Sequence, residues 1–473
     1  MQAARWSVLE ALVNLALWVT FATIKTRAFA GKAPLYTGDK RVWATIAEAP
    51  FFSREFLLPR RPIVYPLLFK AGLSDPAIVS LQLWLSIVSW GLFAYALSRF
   101  VPKLIGPIVF AATLFFALVT PVNAWDLIIR SESTSHSLVV LTMASALLFC
   151  RALTQGRRRA IALAALTVLV GTASVFARDT NPFIVLLLLP TLGMWVWSVR
   201  RESRVTRRTL LTLTISVAVA LSAASYTAQW TARAAPRFDF PLMNVIFTRV
   251  LPNPVKRDYF VRELGMPMSH ALMSRKGRFA SANGRRAYVD PALHTFRLWV
   301  FIEGYSAYQR YLLTHLEEAS REALSEFPRV AGYSPGREGV HSATSVTPLA
   351  DEWLVLGVLA RSPLEACGVF FGIGLLAAIL RWTKTRVLGA LLVFLVLATL
   401  SQLFLCVHGD SMELYRHAVS VGILLRFALL VGVAIGASWL VSLVGVSAAW
   451  GRRRLAARRN AVEPPKAPGP ATP

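Results

Sequence analysis

Apolar residues in this chain gather into runs separated by short polar turns, and ten of the runs approach the length of a membrane-crossing helix. They lie near residues 7–24, 77–97, 104–121, 136–150, 160–177, 182–199, 209–229, 363–380, 387–407 and 418–447. A helix rises about 1.5 Å per residue, so about 20 apolar residues traverse a hydrocarbon core. The pattern predicts an all-α polytopic membrane protein with about ten transmembrane helices. Arg5 precedes the first run and Ala28-Phe29-Ala30 follows it, as in a cleaved signal peptide. However, Lys25 and Arg27 separate the run from that site, and the run is long, so we read an uncleaved first helix.

Two stretches interrupt this rhythm. Residues 25–76 form a large first loop. In it Val42, Trp43, Ile46 and Ala47 have helical spacing and predict a short helix lying at the membrane surface, and Pro50, Pro59, Pro62 and Pro66 break up the rest of the loop. Residues 230–350 are too polar to span and predict an extramembrane segment of mixed structure. Leu298, Phe301, Ile302, Tyr305, Tyr308 and Leu312 mark an aromatic amphipathic helix there, with Glu303 and Arg310 arguing against a span. Its apolar face suits packing of the segment better than a ligand platform. The chain thus divides into a first helix (1–24), the first loop (25–76), helices two to seven (77–229), the extramembrane segment (230–350), helices eight to ten (351–450) and a basic, Pro-rich tail (451–473).

Charge adds a direction to this plan. Only 16% of the 473 residues are charged, against about 25% in a soluble domain, yet the net charge is +26. In a soluble protein such a balance points to nucleic acid. Here the cations sit between apolar runs, so membrane lipids and lipid phosphates are the expected partners, not nucleic acid. One alternate set of short loops holds Arg99, Lys103, Arg151, Arg157–Arg159, Arg200, Arg201, Arg204, Arg207, Arg208, Arg381, Lys384 and Arg386 against a single acid, Glu202. The other set balances Arg130, Arg178 and Arg416 with Asp126, Glu132, Asp179, Asp410 and Glu413. The positive-inside rule then predicts both termini in the cytoplasm, with the first loop and residues 230–350 outside a cytoplasmic membrane. Nine cations between Lys25 and Lys70 run against the rule, and we read that charge as functional. Three widely spaced cysteines suggest neither a disulfide framework nor a zinc site.

The candidate chemistry lies at the outer helix ends. Asp39 is the first carboxylate after the first helix, flanked by Lys32, Lys40 and Arg41 and succeeded by Arg54, Arg60, Arg61 and Lys70. An acid in such a loop suits a general base beside an anionic leaving group; a solvated loop acid offset by lysines is the plainer alternative. Asp126, Arg130, Glu132 and His136, then Arg178 and Asp179, then His408, Asp410, Glu413, Arg416 and His417 bring further ionisable groups to the same face. Each alone reads equally well as a loop charge; together they favour a site. Planar arginine forks bind phosphate bidentately, which makes Arg60, Arg61, Arg178 and Arg416 the phosphate-binding candidates. Glu132, Asp179, Asp410, Tyr65 and His408 are candidates to orient a substrate. The sequence contains no Gly-rich phosphate loop, HExxH or CxxC.

With its large first loop, early Asp39, short charged turns and about ten helices, the chain resembles the GT-C superfamily of integral-membrane glycosyltransferases. Arg61-Pro62-Ile63-Val64-Tyr65-Pro66, Ser131-Glu132-Ser133 and Arg178-Asp179-Thr180 are further likenesses. The resemblance spans most of residues 1–450 but rests on architecture and short motifs. It implies inverting transfer of a sugar from a polyprenyl phosphate or diphosphate donor to a glycan, lipid or protein acceptor, with Asp39 as base. Lys40 and Arg41 come directly after Asp39, where several branches have a second acid. That difference leaves the branch and a divalent metal open; no other cofactor is expected. A transporter or flippase of a lipid-linked glycan is the alternative, and it calls for charges inside helices and broken helices. A non-catalytic scaffold accounts for the helices but not for the clustered charge.

Overall fold

The computed structural model describes residues 2–35, 39–280, 287–332, 359, 361–380, 385–411, 414 and 419–462, and only the backbone of residues 2–7, 39, 120, 121, 446, 448, 449 and 451–462. Among the described residues the protein is helical, with no strand and one isolated bridge, Leu35 to Ile128. Eight helices are long and apolar enough to cross a membrane: Val8–Phe29, Asp75–Ser98, Ser131–Ala152, Arg157–Ala177, Asn181–Val199, Arg207–Ala234, Arg386–Gly409 and Val419–Gly445. The chain is therefore an integral membrane protein.

Two of the ten predicted runs are shorter than a span. Pro363–Ile379 has 17 residues, and the run at 104–121 is helical only over Gly106–Phe116. Pro121 explains the second case. It has no N–H for the carbonyl of Ala117, and its ring would crowd that carbonyl, so the helix cannot run on through it. The chain instead turns and descends through short helical pieces, Thr120–Asn123 and Ala124–Leu127. Residues 122–129 are all buried. Irregular backbone at this depth persists only where protein supplies the hydrogen bonds that water would otherwise make. Gln82 does so from the Asp75–Ser98 helix: its Nε2 donates to the carbonyls of Asp126 (3.2 Å) and Ile128 (2.9 Å).

The long helices are started by local chemistry and joined by close packing. Proline occupies the first turn of the helices beginning at Asp75, Asn181 and Pro363, where a missing N–H costs no bond. Thr206 caps Arg207–Ala234, its hydroxyl accepting from the Thr209 amide. The Pro363–Ile379 and Arg386–Gly409 helices touch backbone to backbone: a Cβ on Gly389 would lie 2.6 Å from the Ala378 nitrogen and the Gly374 oxygen. Small residues allow such an approach between apolar helices.

Residues 239–314 build a second, separate core around Phe247, Phe260, Phe296, Trp299, Tyr308 and Tyr311. The described part of the predicted mixed segment consists of helices joined by turns, as at 263–269 and 274–280, with no strand. Two π turns, Ile246–Val250 and Val300–Gly304, interrupt its α-helices. The second corrects the predicted apolar face of Leu298–Leu312. A π turn takes more residues per turn, so it rotates the residues on either side of it out of one stripe. Trp299, Val300, Tyr308 and Tyr311 are buried, whereas Leu298, Phe301 and Ile302 are exposed. The short helix of the first loop also differs from expectation. In Asp39–Glu48, Trp43 is buried against Tyr65 and Phe69, with ring centroids 4.6 and 6.4 Å away, so its apolar face packs on the Val64–Lys70 helix.

Candidate functional site

The site is built where the first loop meets the descending turn at 124–130. Leu35 pairs with this turn through its backbone: its amide donates to the Leu127 carbonyl (3.1 Å) and its carbonyl accepts from the Ile129 amide (3.0 Å). Below this contact, Lys25 is fully buried with its Nζ 2.7 Å from Asp126 Oδ2 and 2.7 Å from the Ser86 hydroxyl. Ser133 donates to the other Asp126 oxygen at 2.5 Å. Two charges out of water are tolerable only when paired this closely. This pair joins the end of the first helix to a turn 101 residues later.

Tyr65 closes the same turn from the side of the loop. Its hydroxyl lies 2.7 Å from Gln82 Oε1, contacts the Arg130 carbonyl and accepts from Thr134 (3.3 Å). One phenolic proton serves only one of the two acceptors at a time. Burial, opposed by Thr134 and reinforced by Glu132 and Asp126, holds the phenol well above its ordinary pKa. Tyr65 is therefore a neutral donor at physiological pH. Arg130 stands beside it, its Nε buried and without a hydrogen-bond partner among the described residues.

The Ser131–Ala152 helix starts at this turn and carries Glu132, Ser135 and His136 down one side. Glu132 and Arg178 are both buried, 3.8 Å apart. Asn181 anchors the Arg178-Asp179-Thr180 turn by donating to Ser135 (2.9 Å) and to the Ser174 carbonyl (2.8 Å), and Gln402 donates to the Thr180 carbonyl (3.2 Å). Beneath lies a mainly apolar cavity of ≈ 20 Å³, enough for one water, lined in part by Ser135, His136, Asn181 and Ser420. His136 Nε2 is buried there without a hydrogen-bond partner among the described residues.

The predicted residues thus separate into groups. Tyr65, Glu132 and Arg178 come together with Asp126 and Arg130. Asp179 faces Arg237 at 2.7 Å, and Arg237 Nε donates to the Pro59 carbonyl (2.7 Å), tying the first loop to the end of the Arg207–Ala234 helix. Arg60 and Arg61 are exposed on the next part of that loop. Asp410 and His408 serve the second core. Asn244 donates to Asp410 Oδ1 at 3.1 Å. His408 Nε2 lies 2.9 Å from the Ala319 carbonyl and its Nδ1 3.2 Å from the Tyr308 hydroxyl. A carbonyl only accepts, so Nε2 carries the proton and Nδ1 accepts from Tyr308. Both ring nitrogens are thereby occupied in holding the two cores together. Asp39 opens the Asp39–Glu48 helix, but its side chain lies outside the described residues, as does Arg416.

Lys25 and Gln82 escaped sequence reasoning. Both belong to helices of membrane-spanning length, Lys25 near the end of Val8–Phe29 and Gln82 within Asp75–Ser98, and that placement was the available signal: a polar group in a spanning helix needs a partner. Among the described residues no group of His, Cys, Asp and Glu side chains has the arrangement of a metal site. In comparison with known proteins, no family model and no curated protein matches the chain.

Proposed function

We propose that the chain is a membrane glycosyltransferase of the GT-C type. It transfers a sugar, with inversion, from a polyprenyl phosphate or diphosphate donor to an acceptor outside the cytoplasmic membrane. The observation that carries this reading is the buried cluster of Tyr65, Asp126, Glu132 and Arg178, with half-buried Arg130 at its edge. It draws the first loop, the 124–134 turn and the 178–181 turn to one end of the helices, directly under the loop that bears Asp39. Buried ionisable groups at membrane depth are retained where they do chemistry or guide a charged substrate.

In the reaction, the Asp39 carboxylate takes the proton of an acceptor hydroxyl. The acceptor oxygen attacks the anomeric carbon from the face opposite the donor phosphate. The carbon–oxygen bond to that phosphate breaks, and the phosphate leaves with the electron pair. A phosphate needs no proton to leave, but its charge calls for cations. Arg178 and Arg130 suit this role next to the membrane, and Arg60, Arg61 and Arg416 suit it from the loops. Glu132, Asp179 and Asp410 remain candidates to orient sugar hydroxyls. The positive-inside pattern supports a site on the outer face.

The deciding experiment measures turnover of a polyprenyl-linked sugar by purified protein, together with donor binding. Asp39→Asn is expected to fold and bind donor while losing about 10²–10⁴ in rate, the usual contribution of a general base. Arg178→Lys keeps the charge but loses the fork, and should weaken donor binding. Wild-type turnover in Asp39→Asn, with loss in Glu132→Gln, would move the base to Glu132. No turnover by the wild-type chain with any polyprenyl-linked sugar would sink the enzyme. One feature favours a second reading, as a flippase: the third apolar run is broken at membrane depth beside the buried Lys25–Asp126 pair. Movement of a lipid-linked sugar across liposomes without its consumption would select that reading.

A further inference from the structure

The second core leaves large apolar side chains uncovered. Ile302 is 76% exposed, and Phe301 and Leu298 lie exposed beside it on the helix that the Val300–Gly304 π turn interrupts. Exposed aliphatic and aromatic groups side by side are uncommon on a water-facing surface and mark a contact. Their position identifies the contact. Tyr305, immediately after that π turn, stacks on Phe238 with ring centroids 5.0 Å apart, and the Arg233 guanidinium lies 5.1 Å from its ring. Arg233 belongs to the last turn of the Arg207–Ala234 span, whose Trp230 is exposed one turn below. The exposed patch therefore begins where a membrane span ends.

The first loop repeats the pattern on the same rim. Lys70 donates to the carbonyls of Ala47 (2.9 Å) and Ala49 (2.5 Å) and sits over the rings of Phe51 and Phe56. These contacts fold the turn at 49–53 over Lys70 and leave Phe52, at its tip, 93% exposed. Leu57 is exposed at the end of the next short helix. Two residues on, the Pro59 carbonyl accepts from Arg237, next to Phe238. The loop and the second core thus flank the end of one span.

We propose that this rim is a membrane-contact surface, with Phe52, Leu57, Leu298, Phe301 and Ile302 seated at the boundary between lipid headgroups and acyl chains. An apolar face flanked by cations is the pattern of interfacial binding, and Arg54, Arg60 and Arg233 are exposed along this rim. The occupant is the bilayer the protein already spans, because the patch continues the lipid-facing surface of the span through Trp230.

The test uses the full chain in nanodiscs, with a fluorophore on Ile302→Cys or Phe52→Cys and on Arg321→Cys as an exposed control. Cys150, Cys367 and Cys406 are buried and should not react. Nitroxide carried near the top of the acyl chain is expected to quench the dye at positions 302 and 52 at least about twofold more than at 321, with aqueous iodide in the reverse order. Iodide quenching at 302 and 52 equal to that at 321 would overturn the proposal. So would protection from both quenchers, which would mean that protein covers the rim.

Discussion

The two ends of the helical bundle handle charge in opposite ways. At one end, arginines crowd the turns after Ala152 and Val199, and most lie where water can reach them. The Glu10–Arg99 pair at 2.8 Å is partly exposed there, and Arg151 donates to the Arg99 carbonyl at 3.3 Å. Order at this end comes from backbone packing, as at Gly374 and Gly389. At the other end, the charges of the turns at 126–132 and 178 are sunk among helices. Lys25, Asp126, Glu132 and Arg178 are each at most 7% exposed, and each meets an opposite charge. Solvated charge is cheap and can vary in place and number, so it reports on sidedness. Buried charge is tolerated only with a matched partner, so it specifies how the chain assembles. A candidate site belongs at the second kind of end.

The sharpest form of this contrast is all-or-none. Cysteines introduced at exposed Glu202 and Ser274 should react with an impermeant reagent from opposite sides of the membrane. Reaction of both from one side would end the assignment of the two ends. Next in size is Lys25→Met. It leaves the Asp126 carboxylate buried without its cation and should cost about 3–5 kcal/mol, read as a lower unfolding temperature of the purified protein. Lys25→Met with Asp126→Leu should recover much of that loss. Failure of the double variant to recover would mean the pair itself is not the source.

At the arginine-rich end the sensitive point is apolar. Gly389→Val would drive a side chain into backbone, at about 1–3 kcal/mol or more. Glu10→Gln, which breaks a partly exposed pair, should cost no more than about 1 kcal/mol. If Glu10→Gln proves as damaging as Lys25→Met, the distinction between the ends fails. The smallest effect concerns Asp239, at the same end as Asp126 but without an ion-pair partner among the described residues. Burial lifts its carboxyl to about 6. An unfolded chain releases this proton near pH 4, so the folded form holds it more tightly. Stability from this group is full below about pH 4 and declines as pH rises through about 6. Asp239→Asn should flatten that slope, and an unchanged slope would assign it to another group.

Much of the architecture was legible in the pattern of residues. Apolar runs of spanning length stand out because a bilayer demands them, and they sit where eight spanning helices lie. The turns carrying Glu132 and Arg178 were legible as charged helix ends, though not their approach to within 3.8 Å. The early end of the third run was written in Pro121, whose effect on Ala117 is local. The partner of Lys25 was not legible. Sequence periodicity describes which face of a helix is apolar, and it is silent about which distant turn a single polar group will meet.

The sequence by itself determined that the chain lives in a membrane, how its charge is distributed between alternate turns, and which short stretches carry ionisable groups. Those properties arise from solvation, residue by residue. Only the tertiary structure decided that Lys25 pairs with Asp126, that Gln82 satisfies the carbonyls of a buried irregular turn, and that His408 is a rivet between two cores. It likewise decided, through a π turn, that Phe301 and Ile302 face outward. The three pairings depend on where segments 44 to 101 residues apart come to rest, and that is set by the packing of the whole bundle.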